Sequence, residues 1–320
     1  MSSPLLPNDY LDMAKPKTDG KKPPHGLWAI LGAALALFGG QIIGTIAFVF
    51  LLPLVASPDF IEQAMHDRSL LEQNLPSPVL AFLLFSTTSL ALIGGLLWVR
   101  FFEKRSLSSF GFAFNLASLW QLFRGIALGI AAMALGVYFL LVFGWAELSA
   151  PSMPQGWVAL WPLGFLALAW LVQGTSEEIL LRGLVFQSIG VRHGLLVGAL
   201  ASSLLFSLLH GLNPNTSPLF FLDLFLFSLF ACLYVLREGS LWGIAGYHGA
   251  WNFAQGHLFG IPVSGTDLGA DKVMNFTPAG PDFLTGGAAG LEGGLASTLT
   301  IILSAIVILI LPMGRRSAKD

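Results

Sequence analysis

Charge is scarce in this 320-residue chain: Asp, Glu, Lys and Arg together make up 11% of it, against roughly 25% in an ordinary soluble domain. That scarcity excludes a soluble enzyme and an intrinsically disordered chain. Cysteine is scarcer still, with Cys232 alone, which excludes a disulfide framework and a zinc ribbon. There is no basic surplus, since 16 Lys and Arg face 18 Asp and Glu. A grip on a phosphate backbone needs one, so no nucleic acid is expected as a partner. What the chain does have is apolar surface. Its AVILMFWYC fraction is 55% and its mean hydropathy is +0.74. The apolar runs are long and continuous, unlike the alternating segments of a membrane β-barrel. The fold class that follows is all-α: a polytopic transmembrane helical bundle embedded in the lipid bilayer.

Eight spans are predicted, at about 27–56, 78–99, 125–144, 163–190, 194–211, 218–236, 240–260 and 296–312. Residues 1–26 are polar and Pro-rich, and read as a disordered basic tail. No short apolar stretch there ends at a small-residue cleavage site, so the first span reads as a retained anchor. Residues 27–312 form one membrane domain, and 313–320 a second short tail. Counted along these spans, 14 Lys and Arg fall on one set of segments. Only Arg68 and Lys272 fall on the other. By the positive-inside rule both termini are cytoplasmic, in what reads as a bacterial inner membrane. The loop 261–295 is Gly-rich and is expected to be a flexible external segment, with room for a short re-entrant piece.

An ionisable group inside a span costs at least ~3 kcal/mol on insertion scales, so each one is a functional hypothesis. The fourth span carries Glu177, Glu178 and Arg182. Adjacent helical positions point about 100° apart, so the two carboxylates cannot share a face. Arg182 follows Glu178 by four residues, the favourable Glu-first ion-pair spacing. Glu178 and Arg182 are therefore expected to neutralise one another and leave Glu177 free to face a cavity. The plainer alternative places both glutamates among headgroups at a helix end. In the fifth span Phe206 and His210 are four apart on one face, and in the seventh so are His248 and Asn252. Singly, each of these is as readily interfacial or helix–helix glue. Together they supply a carboxylate to act as base, two imidazoles to hold water or a metal, and an amide to donate to an oxyanion. His257 reads as interfacial, and His25, His66 and His193 as solvated. There is no His-Glu-x-x-His helix and no Gly-x-Ser-x-Gly elbow.

In that order Glu-Glu-x-x-x-Arg (Glu177, Glu178, Arg182), Phe-x-x-x-His (Phe206, His210) and His-x-x-x-Asn (His248, Asn252) resemble the motifs of the CPBP family of intramembrane proteases. That family includes type II CAAX prenyl endopeptidases and bacteriocin-immunity relatives. The resemblance covers about residues 157–260. It implies an eight-helix fold with a water-filled cavity, and an intramembrane endopeptidase, either a metalloendopeptidase or a glutamate protease. In it Glu177 activates water, His210 holds that water or a metal, and His248 and Asn252 complete the site. Glu178, Arg182 and Phe206 give structural support. A zinc ion on Glu177, His210 and His248 is the candidate cofactor, with a metal-free mechanism as its rival. The implied substrate is a membrane-associated peptide or protein, CAAX-prenylated or bacteriocin-like. Two other functions remain open: a catalytically silent immunity or scaffold protein, and a proton-coupled transporter. The transporter ranks last, because a relay needs titratable groups in several spans and the sequence is read as holding one cluster.

Overall fold

Eight helices occupy the eight apolar runs. The computed structural model of the protein describes residues 9–15, 25–66, 75–112, 114–149, 160–267 and 271–313. The helices are α1 (Gly26–Leu51), α2 (Ser77–Leu97), α3 (Leu116–Val142), α4 (Leu160–Glu178), α5 (Leu195–Leu209), α6 (Pro218–Glu238), α7 (Trp242–Phe253) and α8 (Leu295–Ile310). By length and composition, five of the eight are long and apolar enough to cross a membrane: α1, α2, α3, α5 and α6, some with a short extension. Of the other three, α7 and α8 are short and α4 carries the glutamate pair. Polar side chains in α4 cost hydropathy at the place where the site is built. The polytopic all-α bundle is therefore as expected.

Local chemistry sets the helix ends. The Asn115 side chain accepts from the Ser118 backbone N–H at 2.9 Å and caps α3. The helix starts there, nine residues before the expected position 125, and takes in Arg124. Ser217 caps α6 by accepting from Phe220 N–H, Pro218 opens it, and Gly239 (φ 71°) closes it in the left-handed conformation. At that turn Glu238 accepts from the Gly243 N–H at 2.8 Å and pairs with Arg124. One buried carboxylate thus fixes the α6–α7 corner to α3. Beyond Glu178, α4 widens into π-type turns over Ile179–Phe186 and resumes as α-helix over Gln187–His193.

Hydrogen bonds between connecting segments fall into two sets, as they must if the helices alternate in direction. On one face, Arg105 reaches Gln187, Gln187 reaches the Ser109 and Tyr10 carbonyls, Ser240 reaches Gly111, and Arg237 reaches the end of α8. On the other, strand β1 (Ala146–Ser149) pairs antiparallel with β2 (Asn275–Pro278). On that face also, Asn213 bonds the Ser264 carbonyl, Asn215 bonds Gly265, and Ser77 bonds Asp271.

Two expectations are corrected. Within the N-terminal tail, Asp9–Asp12 form a helical turn, and Tyr10 is buried with its ring stacked on Phe186. Residues 1–8, 16–24 and 314–320, which complete the two expected tails, lie outside the described residues. In its described residues the loop expected to be flexible is folded. Ile261, Val263, Ala289 and Leu291 are buried, and Gly265 N–H donates to the Ala289 carbonyl at 2.9 Å. Gly290 (φ 81°) takes a conformation that only glycine adopts without strain, pressed against the Pro262 carbonyl. This segment covers the end of the bundle that holds the cavity.

Candidate active site

Two glycines bring the chemistry together. A Cβ on Gly174 would stand 2.7 Å from the Gly249 backbone nitrogen, and one on Gly249 2.6 Å from the Leu171 Cα. Only hydrogen fits at either position, so the backbones of α4 and α7 touch there. The Gln173–Glu178 turn of α4 then lies against the His248–Asn252 turn of α7. Between these helices and α5, α6 and α8 lies a cavity of about 360 Å³. Glu177, His210, His248 and Asn252 all line it. All four expected site residues are thus on one cavity wall or its rim.

The two glutamates part as their spacing predicts. Glu178 and Arg182 are fully buried, with Arg182 Nη1 3.2 Å from Glu178 Oε1. That is an ion-pair distance without hydrogen-bond alignment. The guanidinium also lies over the Phe206 ring, 4.8 Å from its centroid, so its charge is met by a carboxylate and a π face. Glu177 has 19% of its side chain exposed and opens to the cavity. Both carboxylates thus lie inside the protein and not on its outer surface.

Glu178 does more than neutralise Arg182. Its Oε1 is 2.8 Å from His248 Nδ1. A carboxylate can only accept, so Nδ1 carries a proton, and in the neutral imidazole Nε2 presents a lone pair. That lone pair faces Glu177, whose Oε2 is 3.7 Å away. The carboxylate is oriented from its other side, where Gln173 Nε2 donates to Glu177 Oε1 at 2.6 Å. Gln173 Oε1 must then point away, and it accepts from Asn252 Nδ2 at 2.9 Å. Because the carboxylate accepts, the direction of both amides follows. Asn252 is left with a second N–H. His210 ends α5, and its Nδ1 is 2.8 Å from the Phe206 carbonyl. Nδ1 is the donor there too, and Nε2 is free. Phe206 lies between the two imidazoles, 4.7 Å from the ring of His210 and 6.1 Å from that of His248, and bears Arg182 on its face.

Among the described residues no three His, Cys, Asp or Glu side chains form a group that could hold a metal ion. Glu178 and the Phe206 carbonyl hold His248 and His210 through Nδ1, which leaves Nε2 of each ring for another partner. Glu177, His210 and His248 as placed do not fit a zinc site, and no step below is routed through one.

Three residues of the cavity escaped the sequence reading. Gln173 is four residues before Glu177 on the same face, a polar residue in an apolar helix and so a readable signal. Asp223 is a carboxylate within the sixth span, so the reading of a single polar cluster does not hold. Glu292 sits in the Gly-rich loop, where a charge is unremarkable. Asp223 accepts from Thr298, and Glu292 accepts from the Ser264 N–H at 2.7 Å. Burial pushes the Glu292 carboxyl above its ordinary range, while the imidazoles of His210 and His248 pull it back. His257, expected at the interface, is buried beside Trp170 and Phe253.

No curated protein matches the chain. The residues that build the α4–α7 wall, together with His210 on α5, all fall within 159–254, the segment that matches the family model described as type II CAAX prenyl endopeptidase Rce1-like, the protease family whose motifs this sequence resembles.

Proposed function

We propose that the protein is an intramembrane endopeptidase in which Glu177 activates water for attack on a peptide bond. One observation carries the reading: Glu177 Oε2, which has no hydrogen-bond partner, and His248 Nε2, an acceptor in the neutral ring, face each other 3.7 Å apart at the cavity. Two facing acceptors call for a donor with two protons, and water is that donor. Glu178 fixes His248 in the accepting tautomer and Gln173 fixes the Glu177 carboxylate. Both groups are therefore set before substrate arrives.

Glu177 takes one proton from the water as its oxygen bonds to the scissile carbonyl carbon. The second Nδ2–H of Asn252 donates to the resulting oxyanion. His210 Nε2, free of the Phe206 carbonyl, accepts from the water or from the substrate amide. As the tetrahedral carbon collapses the C–N bond breaks, and protonated Glu177 returns its proton to the leaving nitrogen. The products are a carboxylic acid and an amine, and the glutamate is restored. The substrate class this reading favours is a membrane-associated peptide, CAAX-prenylated or bacteriocin-like, and the setting a bacterial inner membrane with both termini cytoplasmic.

The test is cleavage of a membrane-associated peptide library by the full chain in vesicles, with and without chelator. Wild type is expected to cleave under both conditions and Glu177→Gln under neither. Equal cleavage by the two proteins overturns the assignment.

A further inference from the structure

The cavity is acidic beyond what hydrolysis needs. Among its described lining residues are three carboxyl groups, Glu177, Asp223 and Glu292, and no lysine or arginine. Glu177 belongs to the reaction. Asp223 and Glu292 come from the other side, from α6 and from the loop that covers the cavity. Asp223 is 1% exposed. One of its oxygens accepts from Thr298, and Oδ2 has no hydrogen-bond partner. Beside it the fully buried Ser297 hydroxyl also lines the cavity, close to the Asp223 carboxyl but without an aligned hydrogen bond to it. Buried polar atoms are nearly always satisfied. Two such atoms on one wall of the cavity, neither aligned to bond the other, leave places for a group that arrives from outside. Glu292 stands within electrostatic reach of Asp223, and of His210 and His248 on the catalytic side. Among the described lining residues only the imidazoles of His210 and His248, on the catalytic side, can offset that charge.

We propose that Asp223 and Glu292, with the Ser297 hydroxyl, form a subsite for a cationic side chain of the substrate, a lysine or arginine near the scissile bond. An ammonium or guanidinium group would donate to Asp223 Oδ2 and to the free lone pairs of Glu292 and Ser297. It would satisfy the orphaned atoms and the excess charge together. The same contact sets register, because the catalytic wall faces this one across a single cavity. This inference rests on the peptidase reading for the identity of the ligand, but the binding it requires can be measured without turnover.

The experiment uses the full chain in vesicles and two sets of membrane-anchored peptides. One set carries lysine at each position in turn, and the other carries norleucine, which has the same length without the charge. Wild type is expected to bind the lysine peptide about 10–100-fold more tightly at one position, the range for a hydrogen-bonded charge. Asp223→Asn keeps the shape and the Thr298 contact, and is expected to reduce that preference to about threefold or less while leaving norleucine peptides unaffected. Glu292→Gln gives the same reading if the Asn variant fails to fold. Glu177→Gln is expected to retain the preference while losing cleavage. Equal binding of the two sets, binding of neither, or a preference that survives both Asp223→Asn and Glu292→Gln overturns the subsite. If the preference is present but wild type cleaves nothing, the subsite stands and the peptidase reading falls.

Discussion

The two walls of the cavity differ in how far their side chains are tied to one another. On the α4–α7 wall the side chains are tied in sequence, Asn252 to Gln173, Gln173 to Glu177 and His248 to Glu178, with the second oxygens of both glutamates unpartnered. On the α6–α8 wall Asp223 has one bonded oxygen and one without a partner. A tied network holds its groups in place before anything binds, and suits a reaction that repeats with every substrate. A half-satisfied wall is completed only by what enters, and suits selection among substrates. Substitutions on the first wall should therefore change kcat, and those on the second KM.

The largest effect expected is at Glu177. Glu177→Gln removes the base while keeping the Gln173 contact, and should lower kcat by about 10²–10⁴ with expression unchanged. Asn252→Ala follows, lowering kcat by about 10²–10³ if its free N–H meets the oxyanion. A change in KM alone would move Asn252 out of that role and blur the contrast between the walls. The third effect is on stability. Glu178→Gln strands a buried Arg182, a loss of about 3–5 kcal/mol in thermal or denaturant unfolding. Adding Arg182→Met should restore folding. It should not restore full activity, because the glutamine no longer holds His248 as the carboxylate does, and full recovery of kcat would reduce Glu178 to charge balance. The smallest effect is expected at Gln173. Gln173→Ala leaves the base in place but unoriented, and should lower kcat by about tenfold, near the worth of one hydrogen bond to a charged group.

The sequence made the first wall readable and left the second obscure. Glu177, Glu178, Arg182, His248 and Asn252 lie at helical spacing in apolar surroundings, where each polar residue costs enough to be noticed. Gln173 follows the same rule but is uncharged. Asp223 could have been found by the argument applied to Glu177, since it too is an acid inside a span. Glu292 could not, because in a Gly-rich loop a charge carries no penalty until the loop folds. The Glu178–His248 bond was hidden for a related reason. The spacing within α4 assigns Glu178 to Arg182, and only the glycine contact at Gly174 and Gly249 brings α7 within its reach. The early start of α3 at Asn115 shows a cap outweighing hydropathy. Arg124 argues against a span there until Glu238 is known to meet it.

The π-type turns at Ile179–Phe186 bear on how the gene can change length. A π turn carries an extra residue relative to the α turn it replaces. Deleting one codon in this stretch beyond Arg182, at Leu184, lets the backbone relax into α-helix while Glu177 and Glu178 keep their facing on one side and Gln187 on the other. The same deletion at Leu168, in regular α turns, rotates everything before it by about 100° against everything after. The span is thus open to indels at one place, between the residues that do the chemistry and Gln187, which anchors the far end to Tyr10 and Arg105. Descendants of this chain can lose a residue there without losing alignment at either end.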